Sequence, residues 1–551
     1  ESGSPYIQKI LLDNYGFSNN NFSILQDQYG ILYISNSNGI LQYDGSYWEL
    51  IELPGIAKLT IGKNNNIYVG TYNDFGVLLP DHNNQLNFIS LLDTTKISQK
   101  NIGQIEKVIS FNDEIFFCTK NTLYKYNDDD ISIIDTSSIK LDIFYAENQL
   151  FLKKSGCGLQ KMINNQFRSV PNYAFFKDKI IYAILPYNQQ LLAKTNKGFY
   201  LFDNFMVTAF ETRVNELIDE NILSSACLLN DGSYAFGTKL DGIFIMDKTG
   251  MLTEHINESS GLFSISVNEL YADGSNNLWA LHDQGISRIE YPSAYSYFNK
   301  NNGLQGNVTS VIRFNNTLYV ATSLGVFYLS NEKDNEKCIG CAVFKAVPGT
   351  KTNCYQFHKI NGQLFVTTAK GIFEIKDKRA FLFYNREAED IAGVLHSKNH
   401  PSYIFIGHND GISALKYEQG ILIIRKRLEG LNEKISSIAE EKDGTLWFAS
   451  KHSGVYKIDP FNDYSSKLPY THFNKKQIFS RDINWINLYS VHNGMLFSTS
   501  EGLFRYDQNQ KKFYKDTIIG IDFKQDNQWV YPIIEDKQKN LWLNIIGKGY
   551  D

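Results

Sequence analysis

A strand-turn-strand phrase returns down this chain about every 42 residues. It reads Asp27-Gln-Tyr-Gly-Ile-Leu-Tyr33-Ile-Ser-Asn-Ser-Asn-Gly39-Ile-Leu-Gln-Tyr-Asp44 near the start. Near the end it reads Asp443-Gly-Thr-Leu-Trp447-Phe-Ala-Ser-Lys-His-Ser-Gly454-Val-Tyr-Lys-Ile-Asp459. A fixed period in this range, filled with short strands and turns, is the signature of propeller blades. Aligning on one apolar slot gives Tyr33, Tyr68, Phe116, Phe151, Leu192, Tyr234, Trp279, Tyr319, Phe365, Phe405, Trp447, Phe497 and Trp542, hence 13 repeats. A Gly follows the slot in most repeats and opens a return strand, because the polar turn before it favours positive φ. The slot residues are expected to fill the space between neighbouring blades and to carry no chemistry.

Propellers usually take 4 to 8 blades, so 13 repeats predict two rings. Pro292 interrupts the strand pattern after the seventh repeat, and Asn302-Gly-Leu304 restarts it. The expectation is therefore all-β tandem propellers: a seven-bladed ring over 1–295, and a second ring of seven-bladed type over 296–551. The second would show about six blades, its last return strand still unpaired, so the chain reads as a fragment with further blades downstream. Aromatics at 14% against only 11 Pro favour strands over helices.

Composition then excludes classes of function. A net charge of −5 offers no broad basic field for nucleic-acid phosphates. No run of about 18 apolar residues is present to span a bilayer. Cys338-Ile-Gly-Cys341 has half the spacing of a zinc site, with only Cys354 and His358 nearby, which suits a loop disulfide or idle thiols better than a metal. Asp128-Asp-Asp130 reads as a solvated turn ahead of a calcium site. The ten histidines form no metal-binding pair, and no nucleophile elbow or phosphate loop is found. No catalytic constellation and no cofactor are expected.

The phrase Asp-x-x-Gly-x-Leu-Trp-x-x-Thr/Ser-x-x-x-Gly-Leu/Ile/Val resembles the two-component regulator propeller repeat of Bacteroidetes sensor regions. Asp443 to Asp459 matches nearly throughout, and Asp273 to Ile289 and Asp536 to Leu543 match well. Pro5-Tyr-Ile7, Tyr15, Asn20-Asn21, Gln26-Asp27, Gly30, Tyr33, Gly39, Tyr43-Asp-Gly45 and Trp48 resemble the opening of members with two propellers and a triple-tyrosine domain. The repeats at Phe116, Phe151 and Leu192 depart from the pattern in lacking the Asp-Gly turn. The resemblance implies the periplasmic or extracellular sensing region of a membrane-bound regulator, with a kinase or helix-turn-helix output. It also implies an oligosaccharide or other small polar ligand, homodimerisation of the full-length protein, and membrane attachment only through a downstream segment.

Propeller ligands usually meet the face built by the turns after the slot strands. Polar residues on those turns, Tyr72, Asn73, Asp74, His408, Asn409, Asp410, Lys451 and His452, are the expected ligand-binding residues, joined by Arg481 and Trp485 at the start of an inner strand. Amides, carboxylates and guanidinium beside an aromatic platform suit a sugar. Asn36, Lys153, His282 and Glu501 share the turn position. Two alternatives stand beside this reading. A polysaccharide-degrading enzyme would set two carboxylates across a cleft, with Asp74 and Asp410 the imaginable pair. A protein-docking scaffold would show a large exposed apolar patch.

Overall fold

In the computed structural model the repeat becomes a four-stranded antiparallel meander. The structure describes residues 3–53, 55–92, 101–127, 130–293, 295–330, 343–384, 393–418, 421–450, 452–460, 469–478, 485–519, 529–546 and 549–550. One sheet shows the pattern. Strands Asn21–Gln26, Leu32–Asn36, Gly39–Tyr43 and Trp48–Glu52 pair in chain order, with Tyr33 facing Gln42 and Asn36 facing Gly39. The second strand is buried along its whole length (Leu32–Asn36), while the fourth is half exposed. This gradient is expected of a blade packed on both faces near its middle and open to solvent at its outer edge.

The described residues fall into two compact units that divide at Gly303–Leu304. The first contains seven four-stranded sheets. Six are consecutive meanders. In the seventh, Glu269–Ala272, Asn277–His282 and Gly285–Glu290 receive their fourth strand from the other end of the chain, Ile7–Ile10, paired Ile7 to Ile289 and Ile10 to Ile286. The stretch after this sheet stays tied to the N-terminus: Ser4 and Tyr297 exchange backbone hydrogen bonds at 3.0 and 2.9 Å.

Apolar clusters show how the sheets close. Tyr33 and Ile40 of the first sheet pack on Ile67, Val69 and Leu78 of the second, and each later pair of neighbours shares a comparable cluster. The circle is completed where Trp279, Leu281 and Ile286 of the seventh sheet meet Ile24, Ile34 and Leu41 of the first. The second unit repeats the arrangement with five four-stranded sheets and one of three strands. Its clusters join each sheet to the next, ending with Leu496 and Leu503 against Val530, Ile533 and Leu543. The expectation that the last return strand would be unpaired fails, because Gly549–Tyr550 pairs with Leu541–Ile545. A Gly-led hairpin needs only its local turn to form.

Twelve of the thirteen slot residues are buried, from Trp447 at 0% to Tyr68 at 9% exposure. Each slot aromatic of this size removed from water stabilises by roughly 2–3 kcal/mol. Trp542 is the exception at 61% exposure, since no further described sheet covers it. One helix of note interrupts the all-β pattern: Val214–Asn221 sits before the sixth sheet, with Val214 and Ile218 one turn apart and buried against Phe199 and Phe236. Among the described residues no helix is long and apolar enough to cross a membrane.

Candidate functional site

The acidic residue of the repeat is a structural clamp. Asp273 is buried, and its Oδ1 accepts from the backbone N–H of Ser275 and Asn277 at 2.8 and 2.9 Å. Its Oδ2 accepts from Asn277 Nδ2 and from the slot indole, Trp279 Nε1, both at 2.8 Å. One carboxylate thereby closes the turn between the first two strands and fixes the ring that follows. Asp536 repeats all four bonds towards Trp542. In the repeat ending at Trp447 the indole is held instead by Glu441 Oε1 at 2.6 Å, and Asp443 caps only the backbone of Thr445. These acids are spent on the fold.

The polar position after each slot strand is likewise structural. Thr195, Thr238, Thr322, Thr368 and Thr499 donate to the carbonyl of the Gly that opens the return strand, at 3.0–3.1 Å. Asn36, His282 and His408 take the same position and are fully buried. His282 lies 2.8 Å from the Ser266 carbonyl and 3.0 Å from Ser287 Oγ, and burial pushes its pKa down to about 4. His408 reaches Ser413 Oγ at 3.0 Å. Lys153, expected on the ligand face, is turned inward, and its ammonium donates to the carbonyls of Lys154, Cys157 and Lys177. Glu501 is buried as well. These side chains are buried in the fold, where Lys153 satisfies carbonyls of its own turn and of Lys177, and His282 and His408 reach hydroxyls of their return strands.

The remaining expected residues divide between the two units. In the first, Tyr72 is 62% exposed on a turn that Asn73 and Asp74 organise. Asn73 exchanges hydrogen bonds with Gly103, and Asp74 Oδ1 accepts from Phe75 N and Ser90 Oγ, each at 2.8 Å. In the second, Asn409 is exposed and Asp410 forms an ion pair with Arg427. His452 is exposed, its N–H on Ser450 Oγ. Lys451 and Arg481 lie outside the described residues, as do Asp128, Cys338 and Cys341. The buried thiols of Cys118 and Cys354 are pushed up to about 12 by desolvation. Among the described residues no group of His, Cys, Asp or Glu is placed to hold a metal.

Two small concavities lie among the described residues. One, of about 190 Å³, lies between inner strands of the second unit, beside Leu395, Ile438, Leu488, Ile533, Glu440 and Glu535. Glu440 is fixed there by Ser397 Oγ and the Lys398 N–H at 2.7 and 2.6 Å. The other, of about 130 Å³, is lined in the first unit by Gln149, Gln189, Gln190, Asp203 and Asn204 against Tyr173 and Phe202. Both fall short of the roughly 300–1,000 Å³ of a ligand pocket. The open mouths of the inner strands are the better candidates.

Those mouths are shaped by a recurring β-bulge. Register shifts by one residue at the start of seven inner strands, at Phe22, Glu106, Tyr182, Ser224, Thr309, Tyr355 and Ser436, and a wider irregularity brackets Tyr531. A bulge re-aims the side chain it carries. In the first unit two of these mouths carry ion pairs: Lys58 Nζ donates to Glu269 Oε2 and the Phe22 carbonyl at 3.0 and 2.9 Å, and Lys107 pairs with Asp142 at 2.7 Å. In the second unit two of the segments that enter inner strands carry a Trp. Trp485 directly precedes the strand Ile486–Val491, and Trp529 precedes Val530–Glu535. Their rings lie 6.5 Å apart at 14°, and Trp529 stands 5.9 Å from Tyr531. Sequence reasoning found Trp485 and missed Trp529 and Tyr531, although Trp529 stands a similar distance before its slot aromatic.

A solved structure shares this architecture. The extracellular domain of a hybrid two-component system from B. thetaiotaomicron superposes with a TM-score of 0.72 at 18% identity, over 98% of this chain and 76% of that one. The chain has that fold. The extracellular domain of a one-component system from the same organism aligns over 98% of this chain and 76% of its own at 16% identity, with a TM-score of 0.42. No protein-family model and no curated protein matches the sequence.

Proposed function

We propose that this chain is the exported ligand-sensing region of a membrane-bound regulator and recognises a glycan-derived oligosaccharide. The observation carrying the reading is the shared fold with the extracellular domain of a hybrid two-component system along 98% of the chain. The acids imaginable for hydrolysis are engaged locally, Asp74 with Phe75 N and Ser90 Oγ in its own turn and Asp410 with Arg427, which favours a binding role. Ligand binding would act by differential affinity for two states of a dimer, which is the thermodynamic requirement for any sensor. Isothermal titration of the protein against a panel of plant, fungal and host glycan fragments tests the reading. Saturable heat with at least one fragment is expected, and silence across the panel overturns it.

A further inference from the structure

The second unit carries a surface that the fold does not use. Trp485, directly before Ile486–Val491, is 43% exposed, and Tyr531, inside Val530–Glu535 of the last described sheet, is 46% exposed. Between them stands Trp529, near-parallel to Trp485 and tilted 32° to Tyr531, so the three rings form a continuous aromatic shelf. The centroid distance of 6.5 Å lies at the far end of the range for rings in contact, so the pair is loosely closed.

A second observation is independent of the first. The indole Nε1 of Trp529 and the amide Nδ2 of Asn487 are both cut off from solvent and have no hydrogen-bond partner among the described residues. Asn487 lies two residues beyond Trp485 along an extended strand, so the two side chains share a face. Buried polar groups are almost always satisfied, and unsatisfied ones in a native fold call for an explanation. Here both orphaned groups are neutral donors, one on Trp529 of the shelf and one two residues along the chain from Trp485.

We propose that Trp485, Asn487, Trp529 and Tyr531 form a binding site for an uncharged sugar ring. This assignment rests on the sensing function proposed above and gives it a location. The shelf supplies a flat apolar surface for the C–H face of a pyranose. The two N–H groups supply donors for its ring and hydroxyl oxygens, and the Tyr531 hydroxyl offers both a donor and an acceptor. The four side chains offer no carboxylate, ammonium, guanidinium or imidazole, so the site selects against strongly charged ligands, whose desolvation it could not offset. The first unit's inner-strand starts carry the Lys58–Glu269 and Lys107–Asp142 ion pairs at positions where the second unit has aromatic rings.

Tryptophan fluorescence and calorimetry with maltotetraose, cellotetraose, xylotetraose and mannotetraose, with adenosine and tetragalacturonate as comparison ligands, test the site. At least one neutral sugar should bind saturably and perturb the emission. Trp485→Ala should weaken it at least tenfold, and Trp529→Phe and Asn487→Ala, which remove one orphaned donor each, several-fold. A structural role predicts a lower melting temperature for Trp529→Phe and Asn487→Ala without ligand, whereas donors kept for a ligand predict an unchanged or raised one. Sugar binding that survives all three substitutions overturns this site and leaves the sensing function standing. A response to adenosine or tetragalacturonate with the neutral sugars silent overturns the ligand class. Silence to every compound, here and with the wider glycan panel, overturns both the site and the function.

Discussion

The indole N–H of Trp279 donates to Oδ2 of Asp273 at 2.8 Å, six residues upstream, inside a turn that the same carboxylate closes. Local turn and inter-sheet packing are thus one device: the acid that orders the loop also orients the ring that seats the neighbouring sheet. Asp273→Ala leaves several buried donors unpaired and should destabilise the first unit by about 3 kcal/mol, since each such loss costs roughly 1–3 kcal/mol. Asp536→Ala removes the same four bonds from an exposed turn and should cost clearly less, because water replaces the lost acceptor. Urea titration of both variants, followed by far-UV circular dichroism, measures the difference; equal costs would refute the clamp.

The first unit closes through a strand taken from the other end of the chain, with Ile7–Ile10 against Gly285–Glu290. Ile10 and Leu12 also enter the cluster that joins the seventh sheet to the first. Removing residues 1–12 should open that edge and expose Ile24, Ile34 and Ile286. The expected result is rapid proteolysis of the first unit and a melting temperature lower by about 10 °C or more, judged from two buried aliphatic side chains at roughly 2–5 kcal/mol each. Limited trypsin digestion with mass spectrometry reads it, and an unchanged cleavage pattern would argue against the closure.

Most of this architecture was legible in the sequence, and the reason is periodicity. The slot residues and the Gly that follows each obey local rules, burial at the sheet centre and positive φ at the turn, so they recur in register. The site was far less legible. His408, Lys153 and His282 look like ligand-face residues because they are polar and sit on turns, yet each turns inward to satisfy backbone carbonyls or a hydroxyl. Whether a turn side chain faces in or out depends on the next sheet, which no local pattern encodes. Trp529 was missed for the opposite reason: an isolated aromatic before a strand signals core, and only its geometry beside Trp485 shows otherwise.

Gly411 has φ +136°, and a Cβ there would lie 2.1 Å from the Leu431 carbonyl oxygen, a backbone atom that cannot step aside. Gly411→Ala therefore combines a left-handed strain with a hard clash and should cost at least about 3 kcal/mol. Gly16 has φ +84° with open space around its Cβ position, so Gly16→Ala carries only the conformational penalty, about 1–2 kcal/mol. Thermal melts of the two variants give the ranking, and a Gly411→Ala variant as stable as Gly16→Ala would show that the turn can rearrange.

Acid should destabilise both units through one buried histidine in each. Desolvation pushes His282 in the first unit and His358 in the second from an ordinary value of 6.5 down to about 4. The unfolded chain then takes up its proton near pH 6.5 while the folded chain resists until about pH 4, so the unfolded state binds more protons throughout that interval. Stability is complete above pH 6.5, falls as pH drops through the window, and levels off below 4 where both states are protonated. Each histidine accounts for about 3 kcal/mol across the full window, from the conversion of roughly 1.4 kcal/mol per pKa unit. The Nε2 of His358 has no partner among the described residues, so His358→Leu removes the titrating group without breaking a bond there. Melting temperatures at pH 7.5, 6.0 and 5.0 should show a shallower acid decline of the second unit in this variant and an unaltered decline of the first. An identical pH profile in variant and parent would place the acid sensitivity elsewhere.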